Sequence, residues 1–145
     1  MRGKFKLIRT ISKIHGYIYH ISRGRIGRHL GKVTILLLTT TGRKSGKQRS
    51  VPLTAIPYGT NYILVASFGG SPVHPAWLMN IRDNPEVHIR VGSIVKQTNA
   101  SIIETTDTGY EEMWTRAIAT YEGYDNYKRA TSRYIPIVLI TPYEV

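Results

Sequence analysis

Val33-Thr34-Ile35-Leu36-Leu37-Leu38-Thr39-Thr40-Thr41-Gly42-Arg43-Lys44-Ser45-Gly46-Lys47-Gln48-Arg49-Ser50-Val51-Pro52-Leu53 reads as a strand, a cationic turn and a second strand. The first run is apolar and rich in β-formers, two glycines bound the turn, and Val51-Pro52-Leu53 resumes extended chain. A glycine-bounded turn with free backbone N–H groups and up to four cations can hold phosphate or carboxylate through charge-assisted hydrogen bonds. A solvated basic hairpin is the other reading of the same residues. The charge distribution bears on that choice. Up to Arg82 the chain has 14 Lys and Arg and no acid; beyond it come 6 Lys and Arg and all 9 acids, so the two parts carry formal charges of +14 and −3. Positive charge gathered in this way favours a polyanionic ligand.

The glycine spacing excludes an ATPase phosphate loop, because only three residues separate Gly42 from Gly46 and Gln48 follows Lys47 where Ser or Thr is required. Outward from the turn, short strands are predicted at Val33 to Thr40, Arg49 to Ile56, Tyr62 to Ser67, Glu86 to Val91, Ile94 to Glu104 and Ile135 to Thr141. Tyr58-Gly59-Thr60-Asn61 and Gly92-Ser93 provide hairpin turns. Pro75 to Arg82 is predicted to be a short helix with Pro in its first turn. A second helix is expected from Thr108, capped reciprocally with Glu111, and a third over Tyr124 to Ser132. Helices inserted irregularly between hairpins predict a mainly β, α+β fold built on an antiparallel barrel of about six strands.

The 145 residues, 41% hydrophobic, suffice for one folded domain with a real core. Residues 33–145 are assigned to it. Ahead of them, Leu7, Ile11, Ile14, Ile18 and Ile21 fall on one side of a basic amphipathic helix over Lys4 to Ser22, and a Gly- and Arg-rich linker completes residues 1–32. Such a helix either lies on an anionic membrane surface or packs on the domain. The chain has no cysteine, no apolar run of membrane-spanning length and no export signal, which together predict a cytoplasmic protein; packing of that helix on the domain is the favoured reading, and peripheral contact at the inner face of the membrane is the alternative. The five histidines are scattered and no metal is expected. Nucleic acid is disfavoured because aromatic residues do not interleave with the basic turn.

Three further groups are candidates for chemistry. Ser67 opens the flexible Ser67-Phe68-Gly69-Gly70-Ser71-Pro72, able to bring donors close to a flat ligand, and lacks the surroundings of a nucleophile. Trp77 either walls a ring pocket or packs in the core. Tyr121, Tyr124 and Tyr127 recur every third residue, close to one helical face unless Glu122-Gly123 breaks the helix; they suit a hydrophobic acceptor with carbonyl or nitro oxygens, or plain aromatic packing. With no carboxylate pair or triad in view, redox or transfer chemistry would come from an organic cofactor.

Four blocks in order resemble the deazaflavin-dependent nitroreductases, also described as coenzyme F-420-dependent quinone reductases. They are Leu37 to Gly46 with Arg49 and Pro52-Leu53; Val65-Ala66-Ser67 with Gly69-Gly70; His74-Pro75-Ala76-Trp77 with Asn80, Asn84, Pro85 and Val87; and Tyr121, Tyr124, Tyr127, Arg133, Ile135 and Pro136. The resemblance implies a flavin-reductase-like split β-barrel that holds coenzyme F-420, an 8-hydroxy-5-deazaflavin, and passes a hydride to a quinone-like or nitroaromatic acceptor. By the same resemblance Arg43, Lys44, Ser45 and Arg49 bind the phosphate and acidic tail, and Val51, Pro52 and Leu53 line the groove. Ala66, Ser67, Ala76 and Trp77 enclose the ring, while Ser67 with Tyr121, Tyr124 and Tyr127 serves the acceptor. Phe68 and Thr54 stand where the family commonly has lysine and an aromatic residue, which would weaken the grip on the cofactor and reshape the acceptor pocket. FMN in place of the deazaflavin, and a redox-inactive carrier of a lipid or other hydrophobic ligand, are the competing readings.

Overall fold

The computed structural model describes residues 29–30 and 33–142. The amphipathic helix predicted over Lys4 to Ser22 lies outside them. Eight strands form one antiparallel sheet: β1 (His29–Leu30), β2 (Val33–Thr41), β3 (Gln48–Thr54), β4 (Ile56–Tyr58), β5 (Asn61–Val65), β6 (Glu86–Val91), β7 (Ile94–Ile103) and β8 (Ile137–Pro142). Among the described residues three α-helices accompany them, α1 (Ala76–Asp83), α2 (Tyr110–Thr120) and α3 (Gly123–Ala130), with a short 3-10 turn at Phe68–Gly70. None of the described helices is long and apolar enough to cross a membrane.

The strand order forces curvature. Along the sheet it runs β3, β2, β6, β7, β8, β5, β4, with β1 on the start of β2. β3 and β4 therefore occupy opposite ends, yet Ala55 alone joins them. In a flat sheet six strand spacings would part those ends by roughly 29 Å, several times what one residue can bridge. The sheet instead curls into a half-barrel, and the Ala55 N–H donates to the Thr34 carbonyl at 2.9 Å where the ends approach.

Alternation then divides the apolar residues between two cores. Leu36, Leu38, Leu64, Val87, Ile89, Ala100, Val138 and Ile140 form the core inside the curl, closed by Trp77, Leu78 and Ile81 of α1. On the other face of β5 and β8, Ile63, Val65 and Ile137 meet Met113, Trp114 and Ala117 of α2 and Tyr124 of α3. The Tyr110 phenol donates to the Ile135 carbonyl at 2.6 Å, and burial pushes that phenol up to about 12.

Several predicted elements differ in detail. The strand expected over Arg49 to Ile56 is two, broken at Ala55 where the sheet edge is handed over, and the two-residue β1 lies in the expected linker, so eight strands replace about six. Pro75 is the residue before α1, not within its first turn. The reciprocal cap between Thr108 and Glu111 is absent: Gly109, at φ 89, precedes α2 without a side-chain cap, and Asp107 accepts the Glu104 N–H at 2.7 Å. β8 begins two residues later than predicted, after Pro136, which has no N–H for a ladder.

Candidate functional site

The cationic turn is a defined structure. The Gly42 N–H donates to the Lys47 carbonyl at 2.7 Å, the Gly46 N–H to the Gly42 carbonyl at 2.8 Å, and the Lys47 N–H to Ser45 Oγ at 3.1 Å. Gly46 sits at φ +69, and a Cβ on Gly42 would come within 2.7 Å of Ser45 Oγ, so each glycine has its own steric reason. The Arg43 N–H donates to Asn80 Oδ1 at 3.1 Å, and Asn80 Nδ2 donates to Thr40 Oγ1 at 3.0 Å. Buried Asn80 thus ties the turn to α1, the helix that also carries Trp77.

Arg43, Lys44, Lys47 and Arg49 are all exposed. The described ion pairs are Arg82 with Glu104 and Arg129 with Asp125, so no described carboxylate neutralises the turn. Backbone N–H groups and four unneutralised cations in one place suit an acidic ligand segment.

β3 leads away from the turn and divides its side chains by face. Val51 and Leu53 pack on the inner core with Ala66 and Trp77. Pro52 pairs with Leu37 on the alternate positions and so lies on the opposite face. Trp77 is 8% exposed and belongs to the core, as one of its two readings had it, while Ala76 is exposed. Of the residues expected to surround a ring, the structure therefore gathers Val51, Leu53, Ala66 and Trp77 in one cluster and separates Pro52.

The tyrosines meet by a route other than a shared helical face. α2 ends at Thr120, Tyr121 is extended at φ −148, and α3 begins at Gly123, as Glu122-Gly123 warned. The Tyr121 ring folds back over Gly123, where a Cβ would lie 2.3 Å from Cζ. Its hydroxyl is 3.2 Å from that of Tyr127, and its ring meets Tyr124 edge-on at 5.1 Å between centroids. Burial pushes the Tyr124 phenol up to about 12, with a hydrogen bond to the Thr54 side chain acting the other way. Tyr127 is pushed up to about 12, first by its hydrogen bond with Tyr121 and then by burial. The Tyr124 and Tyr127 phenols are therefore protonated at neutral pH.

Buried Ser67 lies just before the turn at Phe68–Gly70, and Gly70 approaches α3 so closely that a Cβ would stand 3.2 Å from the Tyr127 carbonyl oxygen. The Ser67 segment and the tyrosine helix are thus in contact. Asn80, His74, Arg133 and Thr54 had no role in the sequence reading beyond marking the resemblance or a departure from it. A buried asparagine three residues after Trp77, on the core side of a short helix, was the available signal for the first.

A shallow groove of about 310 Å³, lined by Leu37, Thr39, Gln48, His88, Ile89, Arg90 and Val95, lies along β2 and β6 and contains none of the expected site residues. Among the described residues no group of His, Asp and Glu could hold a metal ion.

Residues 11–142 match the family model described as F420H(2)-dependent quinone reductase. An F420H(2)-dependent quinone reductase of Mycobacterium tuberculosis is 37% identical over 131 residues, covering 89% of this chain and 88% of the relative. A solved F420-H2 dependent reductase, FDR-A, is 39% identical with a TM-score of 0.66, covering 74% of this chain and 93% of its own. Another solved relative, described as a domain-swapped dimer, is 35% identical with a TM-score of 0.68 over 86% of this chain and 93% of its own. With the family model spanning most of its length and relatives of this identity, the chain belongs to the F420H(2)-dependent quinone reductase family.

Proposed function

We infer that this chain is an oxidoreductase that uses reduced coenzyme F-420 to reduce a quinone-like acceptor to its quinol. The observation that carries the reading is the placement of two chemistries at the two ends of β3. Unneutralised cations stand at its start and the tyrosine cluster, through Thr54, at its finish. Gln48 to Thr54 spans roughly 20 Å at about 3.3 Å per residue, a length suited to a ligand with an acidic tail at one end and a reactive ring at the other.

Bound there, the reduced deazaflavin would supply the hydride, and a proton from solvent or a phenol would complete the quinol. The chain's own residues supply grip and orientation. Arg43, Lys44 and Arg49, with the backbone and hydroxyl of Ser45, hold the acidic tail. Half-buried Val51 and Leu53, backed by the core residues Ala66 and Trp77, offer an apolar wall to the ring, and Ala76 borders it from the start of α1. Pro52 acts by shaping the strand. Tyr121, Tyr124 and Tyr127, with Ser67, direct hydroxyl donors at an acceptor oxygen, where a growing negative charge is stabilised more than the ground state. Nitroaromatic acceptors suit the same donors.

Titration with oxidised coenzyme F-420, followed by its absorbance, tests the first half of the reading. Menadione-dependent loss of the reduced cofactor's absorbance tests the second. Saturable micromolar binding and turnover are expected; absence of binding overturns the assignment, and binding of fatty acyl ligands in its stead would mark a carrier.

A further inference from the structure

After β5 the chain turns through three successive left-handed residues, Phe68 at φ 43, Gly69 at φ 62 and Gly70 at φ 79. For an aromatic residue such as Phe68 this conformation is strained and persists only where its surroundings hold it. Within the segment itself two hydrogen bonds close the turn, Gly70 N–H to the Ser67 carbonyl at 3.0 Å and Ser71 N–H to the Phe68 carbonyl at 3.1 Å.

From outside the segment, half-buried Arg133 bonds to it at three carbonyls. Its Nη2 donates to the carbonyls of Ala66 at 3.1 Å and Ser67 at 2.8 Å, and its Nε donates to the Ser71 carbonyl at 2.8 Å. Its Nη1 reaches the Tyr134 carbonyl at 3.3 Å and His74 Nδ1 at 3.1 Å. No carboxylate within salt-bridge distance is described for it. The guanidinium is therefore committed to backbone carbonyls at both ends of the turn, which a rigid fork of donors can span and a single ammonium cannot. His74, bonded to an obligate donor, accepts at Nδ1 and carries its proton on Nε2.

We propose that Arg133 is a positioning residue that fixes the Ser67 to Ser71 segment in the shape that receives the cofactor ring, acting through the carbonyls of Ala66, Ser67 and Ser71 without touching the ligand. The inference rests on the function proposed above.

The test compares native protein with Arg133→Lys and Arg133→Ala by three readouts: circular dichroism, amide hydrogen exchange resolved by segment, and titration with oxidised coenzyme F-420. Arg133→Lys is expected to keep its secondary structure, to exchange about tenfold faster at residues 66–71 with α1 and β8 unchanged, and to bind the coenzyme about tenfold more weakly. Methylguanidinium added to Arg133→Ala is expected to restore part of the affinity. Should the alanine variant not fold, the lysine variant decides alone. Native-like binding by Arg133→Lys, or loss of protection spread evenly over the whole chain, overturns the proposal. Native protein that binds no coenzyme is a separate result, and overturns the function on which the proposal rests.

Discussion

Asn80 Oδ1 accepts the backbone N–H of Arg43 at 3.1 Å, joining the tip of the β2–β3 hairpin to a buried position on α1. The bond fixes the direction of the turn's backbone relative to Trp77, and hence where exposed cations stand with respect to the inner core. Such long-range ties give a hairpin tip a single arrangement that its own turn chemistry would leave open.

Replacing Asn80 by Leu removes both the Arg43 and the Thr40 partners and leaves a buried hydroxyl without its donor. A loss of about 1–3 kcal/mol is expected. Thermal unfolding measures it, and coenzyme titration should show weaker binding even though Asn80 carries no charge. Unchanged affinity would mean that the turn needs no anchor.

Arg43→Glu reverses a charge in a cluster that no described acid balances. If Arg43 makes one charge-assisted bond worth roughly 1.5–3 kcal/mol, affinity for oxidised coenzyme F-420 should fall by at least about tenfold. Native binding should also weaken as salt is raised, and less so in the variant. Equal salt dependence in the two proteins would remove Arg43 from the ligand's path.

Gly123→Ala places a Cβ 2.3 Å from Cζ of the Tyr121 ring, so the ring must leave its seat. The Tyr121–Tyr127 hydroxyl pair at 3.2 Å is then lost. The expected outcome is a raised KM for menadione with coenzyme affinity held, since the cations are untouched. A fall in coenzyme affinity alone, with menadione kinetics preserved, would contradict it.

The pH dependence of stability has two limbs with worked signs. Burial raises Tyr110 and Tyr124 to about 12 from 10.0, so the folded state holds those protons more tightly; that contribution is whole below pH 10 and is lost as pH rises through 12. His74 is lowered from 6.5, first by burial and then by Arg133 and Arg82, with Glu104 opposing. Its contribution is present above pH 6.5 and is lost as pH falls below that value. Denaturant titrations across pH check both, with Tyr124→Phe reducing the alkaline limb, to which Tyr110 and Tyr127 also contribute, and His74→Gln flattening the acidic one.

The strands, the short helix after Pro75 and the cationic turn were legible because each depends on neighbours in sequence: alternation, glycine where φ is positive or space is short, and proline at a helix start. The same locality made the break at Glu122-Gly123 visible. Thr108 and Glu111 had the right spacing for a cap, but the bond between Asp107 and the Glu104 N–H directs the chain into α2 through Gly109, a competition that spacing alone does not rank.

The amino-acid order by itself determined a basic, glycine-bounded hairpin in a part of the chain that carries no acid, since charge segregation and turn chemistry are properties of the chain read along its length. Only the tertiary structure decided what stands beside that hairpin. The curl that brings β3 to β4, the seat of Tyr121 over Gly123, and the hold of Arg133 on Ala66, Ser67 and Ser71 join residues up to 67 positions apart. Those meetings depend on which strands pair and which faces are buried together, and no local propensity encodes them.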